Sequence, residues 1–212
     1  MTIAFAEQQY LQDLKMILAY NTERLPAAPG APFGQPTREA LSAFLKLAAG
    51  YGFKTKNIDN YCGYVELGTG KEMVALLSHL DIVPAGDPKT WQTPPFILTV
   101  KDDTLYGRGV VDDKGPLILA LHVLKALKDN KVKLRKRVRL IVGCGEETGS
   151  ECMQHYTKVE ELPQFAITPD ADYPGIIGEK GVLRLRIHKK LNSTSPVIEM
   201  QVGTVINAVP GY

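Results

Sequence analysis

The sequence is poor in cysteine, in net charge and in long apolar runs, and each shortage excludes a class of protein. Three cysteines in 212 residues, at unrelated spacings, argue against a disulfide framework and against a cysteine-ligated zinc site. A formal net charge of +2 gives no electrostatic reason to expect a nucleic acid or an anionic membrane as a partner. No apolar stretch approaches the ~20 residues that span a bilayer, and no secretory leader is visible. We therefore expect a cytoplasmic globular protein, whose oligomeric state the composition leaves open.

Apolar periodicity predicts helices that alternate with short strands. Thr37 follows a proline and is the predicted N-cap of the second helix, which should close at Gly50. Such alternation is typical of a three-layer α/β domain with a mostly parallel central sheet. Helices are predicted over residues 4–20, 37–50, 115–128 and 149–158, and strands over 61–67, 73–77, 96–100, 104–106, 137–142 and 165–168.

The pattern changes after Gly181. Residues 182–189 alternate apolar and charged side chains with a period of two, as a half-exposed antiparallel strand does. We place a domain boundary near 178–181. Residues 1–180 would then form the α/β domain, and residues 181–212 would begin an α+β domain too short to be stable by itself.

Four clusters of polar residues lie where apolar runs break into glycine or proline. They occupy residues 78–84, 107–115, 145–149 and 169–170. Sites in open α/β sheets gather at the carboxyl ends of strands, so we expect these clusters to converge. One imidazole with several carboxylates is the ligand set of a hard-to-borderline divalent metal, and zinc fits best. The clusters therefore predict a metal-dependent hydrolase.

Within the first two clusters the residue types suggest separate roles. His79 is the candidate imidazole ligand, and Asp81, two residues further on, could hold its tautomer as a supporting carboxylate. Asp112 and Asp113 repel one another unless a cation compensates them. We take Asp112 as the candidate for a carboxylate that bridges two metals.

The adjacent Glu146 and Glu147 could divide their work, with one carboxylate on a metal and its neighbour free to transfer protons. Simpler alternatives stay open at this point. The main chain could satisfy His79, a helix-entry acid would explain Asp112 or Asp113, and an acidic turn would explain the glutamate pair.

Two other features have competing interpretations. The loop at residues 143–149 loosely resembles a dinucleotide-binding glycine loop, but its two carboxylates occupy the turn where a pyrophosphate needs main-chain donors. The basic run at residues 125–139 contains no aromatic side chain, and we interpret it as a cationic helix end followed by a solvated turn.

In combination, the motifs resemble the co-catalytic zinc peptidase and deacylase family that includes carboxypeptidase G, acetylornithine deacetylase, aminoacylase and carnosinase. The resemblance is strongest to the bacterial dipeptidase V group. It implies a dipeptidase that hydrolyses short peptides with a free amino terminus, using two Zn²⁺ ions that Co²⁺ or Mn²⁺ can replace. An amino-acid N-deacylase with the same metal site is the alternative. The matching segments are residues 79–84, 90–96, 105–116, 145–149 and 169–180.

The resemblance also implies roles for single residues. His79 and Asp170 would bind one zinc, Glu147 the other, and Asp112 would bridge them. Asp81 would support His79, while Glu146 would act as general base for a hydroxide held between the metals. Asn207 would reach the substrate from a lid domain, and the peptide bond between Asp112 and Asp113 is expected to be cis.

In one respect the chain departs from the family pattern. The family supplies a further metal-binding histidine from a segment beyond a complete lid domain, whereas the last histidine here is His188, in the alternating strand. The resemblance therefore implies the amino-terminal part of such an enzyme. We expect these 212 residues alone to be inactive, as a metal-binding fragment.

Overall fold

The computed structural model describes residues 5–171 and four single positions beyond them, at 175, 176, 178 and 181. Contacts divide the chain into two units, Met1–Gly175 and Ile176–Tyr212. The fold described below is that of the first unit. The predicted α+β domain over residues 181–212 stays a prediction.

Helices and strands alternate along the first unit as the periodicity predicts. Thr99–Lys101 and Thr104–Tyr106 form a separate two-stranded hairpin joined by a turn. The helices are α1 (Glu7–Leu18), α2 (Gln35–Gly50), α3 (Lys114–Asp129) and α4 (Glu151–Val159), and the strands are β1 (Lys54–Ile58), β2 (Cys62–Leu67), β3 (Met73–His79), β4 (Thr99–Lys101), β5 (Thr104–Tyr106), β6 (Arg137–Gly143) and β7 (Phe165–Ile167).

The main sheet has five strands in the order β1-β2-β6-β3-β7. Strand β3 lies parallel to both β6 and β7, whereas β2 pairs antiparallel with β1 and with β6. The sheet is thus parallel where the polar clusters follow its strands and antiparallel at the far edge. The parallel part matters for function, because its strands deliver their carboxyl ends to one side.

Helices cover both faces of this sheet and give the predicted three-layer α/β architecture. A side chain at Gly63 would meet leucines of α2, whereas one at Gly143 would meet Cys152 of α4. Cys62 pairs with Gly143, so the neighbouring Gly63 points to the opposite face. Helix α1 packs on α2 and α3. Fully buried core side chains include Leu14, Ile17, Leu41, Phe44, Leu117, Leu121, Leu140 and Val142.

The prediction that Thr37 caps α2 is wrong. The helix begins at Gln35 after Gly34, whose φ of 101° suits glycine, and no side chain caps it. Thr37 lies inside the first turn, buried, and its hydroxyl has no hydrogen-bond partner among the described residues. Pro36, at the second helical position, is compatible with this earlier start, because the first N–H groups of a helix have no intrahelical partner.

The basic run continues beyond the helix end and its exposed turn into β6, where Arg139 is buried, so the predicted solvated turn accounts for only part of the run. The Arg139 guanidinium donates to a Glu66 carboxylate oxygen at 2.7 Å, to the Tyr156 hydroxyl at 2.9 Å and to Glu160 at 3.2 Å. It also lies 3.8 Å from the centroid of the Tyr64 ring. These contacts join α4 to strands β2 and β6, so the ion pair fixes the helix that follows the Glu146–Glu147 loop.

Among the residues that the structure describes, no helix combines the length and the apolar character needed to cross a membrane.

Candidate metal centre

The parallel strands bring the polar clusters to one edge of the sheet, as predicted. His79 is the last residue of β3 and lies level with Gly143, the last residue of β6. The loop after β6 carries Glu146 and Glu147, and Asp170 follows β7. Strand order therefore explains why residues far apart in the sequence meet at this edge.

His79 lies at the middle of the cluster, and the residue is only 2% exposed. Its Nε2 atom lies 3.1 Å from an Asp112 carboxylate oxygen and 3.1 Å from an Asp170 carboxylate oxygen. A Glu146 oxygen lies 3.9 Å from the same nitrogen. On the other side of the ring, Nδ1 lies 2.8 Å from the main-chain carbonyl oxygen of Asp81. With Nδ1 bonded to a carbonyl, Nε2 is the nitrogen that faces the carboxylates.

Asp81 holds two loops together rather than only supporting the histidine. Its carboxylate oxygens accept hydrogen bonds from the main-chain N–H groups of Glu146, at 3.1 Å, and Glu147, at 3.0 Å. The same carboxylate lies 3.5 Å from Nδ1 of His79, beyond the carbonyl contact. These main-chain donors are the ones that a bound pyrophosphate would need in the competing interpretation of this loop, and Asp81 occupies them.

Two groups of side chains offer ligand atoms close enough to share one ion. His79, Asp112 and Glu147 form one group and His79, Asp113 and Asp170 the other, with all ligand atoms of a group within 4.8 Å of one another. The four residues predicted as metal ligands all belong to these groups. Asp113 is an addition, since we assigned it no role at a metal.

Asp113 is completely buried at the start of α3. One carboxylate oxygen accepts hydrogen bonds from the Ser78 hydroxyl and, at 3.0 Å, from the His79 main-chain N–H. The other oxygen has no partner in the described part of the chain. Asp113 is the N-cap residue of α3, but its side chain makes no capping hydrogen bond.

Carboxyl groups outnumber cationic groups in the cluster, and this excess shifts the pKa values of its members. Burial by itself would lower the pKa of His79, but hydrogen bonds to Asp112 and Asp170 and the nearby Asp81 raise it well above its usual value. Burial and the charge of Asp112 raise the pKa of Glu147 to about 7. Burial also raises the pKa of Glu146.

A divalent cation fits this donor set. One imidazole and several carboxylate oxygens suit a hard-to-borderline ion, and a positive charge would relieve the repulsion among the carboxylates. Oε1 of Glu147 is buried without a hydrogen-bond partner among the described residues. A buried polar atom of this kind needs an explanation, and a cation is one.

Local packing explains the glycine before the glutamate pair. A Cβ atom at Gly145 would lie 2.4 Å from the Phe33 ring, so a side chain there requires the ring to move.

The peptide bond between Asp112 and Asp113 is cis, which confirms the prediction made for it.

Two residues named in the sequence analysis lie outside the described part of the chain. They are Asn207, the predicted substrate-binding residue, and His188. The role assigned to Asn207 stays a prediction, and so does the domain boundary near 178–181.

Comparison with known proteins identifies the family. Residues 75–202, more than half of the chain, match the peptidase family M20/M25/M40. The chain belongs to this family, which confirms the family that the motifs resemble.

Among curated proteins, the chain is 37% identical over 211 residues to "Putative dipeptidase YtjP" of Bacillus subtilis strain 168, covering 96% of this chain and 45% of that protein. It is 40% identical over 214 residues to a "Putative dipeptidase" of Staphylococcus epidermidis, with coverages of 97% and 45%. The chain thus spans less than half the length of these relatives.

Solved structures share the fold. Human carnosine dipeptidase 1 superposes with a TM-score of 0.62 at 24% identity, over 72% of this chain and 35% of that one. An M20 family metallo-carboxypeptidase from Sulfolobus solfataricus gives a TM-score of 0.63 at 23% identity, over 76% and 37%. At identities below 25%, this similarity establishes a shared fold and does not establish a shared activity.

Proposed function

We propose that this chain forms the amino-terminal part of a metal-dependent dipeptidase that hydrolyses short peptides with a free amino terminus. The proposal rests on one observation: four side chains lie close enough for their ligand atoms to bind the same ions. They are His79, Asp112, Glu147 and Asp170. The peptidase family of the chain and the names of its relatives support the same reaction class.

The donor atoms suggest how two ions would be held. His79 and Asp170 would bind one ion, Glu147 would bind the other, and the Asp112 carboxylate would bind both. We propose that the ions are Zn²⁺. When bound, such ions polarise a carbonyl oxygen and acidify water at the site. Asp81 would act through its hydrogen bonds, because it orients His79 and holds the main chain at Glu147.

Glu146 is our candidate for the general base. Its side chain is 48% exposed and reaches to within 3.9 Å of Nε2 of His79, so it borders the site while remaining accessible to substrate. A carboxylate there would take a proton from water and deliver it to the leaving amine. A small cavity of about 160 Å³ lined by His79, Glu146 and Asp170 provides space beside these groups.

Metal removal tests the proposal. An enzyme that contains this chain together with a complete lid domain should lose dipeptide hydrolysis on exhaustive chelation and regain it with Zn²⁺, Co²⁺ or Mn²⁺, because ligands of this type bind reversibly. Free dipeptides should be cleaved in preference to N-acetyl amino acids in a parallel assay. The reverse preference would favour the deacylase alternative. Full activity in protein shown by elemental analysis to be metal-free would rule out the metal site.

A further inference from the structure

A short segment between α1 and α2 contacts three of the four segments that carry the candidate metal ligands; the fourth, after β7, carries Asp170. We call this segment, residues 20–24, the strap. Its residues contact the loop after β3, the start of α3 and the loop after β6. None of them appears among the candidate ligands, so the strap has no part in the function proposed so far.

The strongest contacts are with the loop that follows His79. The hydroxyl of Thr22, which is wholly buried, donates to the carbonyl oxygen of Leu80 at 2.6 Å. The main-chain carbonyl of Thr22 accepts from the N–H of Ile82 at 3.4 Å, and Glu23 forms a parallel bridge with Ile82. Leu80 and Ile82 flank Asp81, so Thr22 fixes the main chain on both sides of that carboxylate.

The two ends of the strap reach the other loops. At one end, the carbonyl oxygen of Tyr20 accepts a hydrogen bond at 2.6 Å from the ammonium group of Lys114, which directly follows the Asp112–Asp113 pair and is wholly buried. At the other end, the guanidinium of Arg24 donates to the Thr148 hydroxyl at 2.9 Å. Thr148 is the residue after Glu147.

Arg24 also contacts the ring that packs on the glutamate loop. Its guanidinium carbon lies 4.7 Å from the centroid of Phe33, and that ring lies against Gly145. The strap therefore touches the glutamate loop both through a hydrogen bond and through an aromatic side chain.

We infer that the strap positions the metal ligands, with Thr22 as its central residue, and sets the spacing between His79, Asp112 and Glu147. This inference rests on the proposed function, because it assumes that these residues bind metal. A metal site tolerates only small errors in ligand position. Replacing a residue that hydrogen-bonds to a ligand, without itself binding the metal, commonly weakens metal affinity by about 10–100-fold. One segment that contacts three separate loops is placed to control their spacing.

Replacement of Thr22 tests the inference. Thr22→Val keeps the size of the side chain and removes its hydroxyl, whereas Thr22→Ser keeps the hydroxyl and should restore the wild-type behaviour. We expect Thr22→Val to weaken Zn²⁺ binding by about 10–100-fold, measured by competition with a chromophoric chelator. Thr22→Ser should stay within a few-fold of wild type.

Thr37→Val is the matched control. It is the same substitution at another buried threonine, but that hydroxyl has no partner among the described residues and lies in α2. Zn²⁺ affinity should be unchanged in this variant. Urea denaturation of each metal-free variant measures the loss of stability separately from the loss of affinity.

A second variant covers the case in which Thr22→Val does not fold. Arg24 is partly exposed, so Arg24→Met should leave the fold intact and weaken Zn²⁺ binding several-fold by releasing Thr148. Wild-type Zn²⁺ affinity in Arg24→Met, or in a folded Thr22→Val, would overturn the inference, as would equal losses in Thr22→Val and Thr37→Val. Wild-type protein that binds no Zn²⁺ at all would instead overturn the proposed function, and the inference with it.

Discussion

In an enzyme that contains this chain and a complete lid domain, replacing Glu146 with glutamine should lower dipeptide turnover by about 10²–10⁴-fold, because the amide keeps the shape of the side chain but cannot accept a proton. Bound metal should stay at the wild-type level. The main-chain N–H of Glu146, which Asp81 holds at 3.1 Å, is not altered by the change. Steady-state kinetics with metal counting by mass spectrometry on the same sample would measure both quantities.

Glu147→Gln provides the matched comparison, since it makes the same change one residue further on. Oε1 of Glu147 is buried without a hydrogen-bond partner among the described residues, and the residue belongs to a candidate ligand group. This variant should therefore lose about one of the two ions that the site is proposed to hold. Equal metal loss in both variants would contradict the separate roles of the two glutamates.

Replacing Arg139 with methionine should destabilise the protein by about 1.5–3 kcal/mol, because it removes the charged hydrogen bonds that Arg139 donates to Glu66 and leaves Arg137, at 3.1 Å, as a remaining cation beside that carboxylate. Burial alone would raise the pKa of Glu66, but Arg139 and Arg137 outweigh it and hold that pKa below its usual value. Both partners of the Arg139–Glu66 pair are therefore charged in the folded protein. Urea denaturation of the metal-free variants would measure the difference in the free energy of unfolding.

Arg135→Met is the control for this variant. Arg135 belongs to the same basic run but is exposed, so its replacement should change stability by less than about 0.5 kcal/mol. Similar losses in the two variants would show that the basic run acts through its overall charge and not through the buried contacts of Arg139.

The sequence predicts the fold class and the assembly of the site because both depend on strand order and apolar pattern. His79 ends β3, whereas Glu146 and Asp170 follow β6 and β7, and the carboxyl ends of these parallel strands meet at one edge. That reasoning needs only the position of a polar residue at the end of an apolar run. It is enough to bring the candidate ligands together.

Features that depend on tertiary packing could not be predicted from the sequence in this way. Asp113 and Arg139 are charged residues that are buried by partners distant in the sequence, and a local pattern does not reveal such partners. Strand β1, with the sequence Lys-Thr-Lys-Asn-Ile, is an edge strand that buries only its last residue, so it lacks an apolar signal. The role of Asp81 as a link between two loops depends on the main chain of Glu146 and Glu147, which no residue type predicts.

The central claim is that His79, Asp112, Glu147 and Asp170 together form a metal centre. The most direct test is a crystal of the protein soaked in Zn²⁺, with diffraction data collected on both sides of the zinc absorption edge. We predict anomalous peaks about 2.0–2.2 Å from Nε2 of His79 and from a carboxylate oxygen of Glu147, with Asp112 contacting both. Zinc bound elsewhere in the crystal, with no peak at His79, would contradict the account.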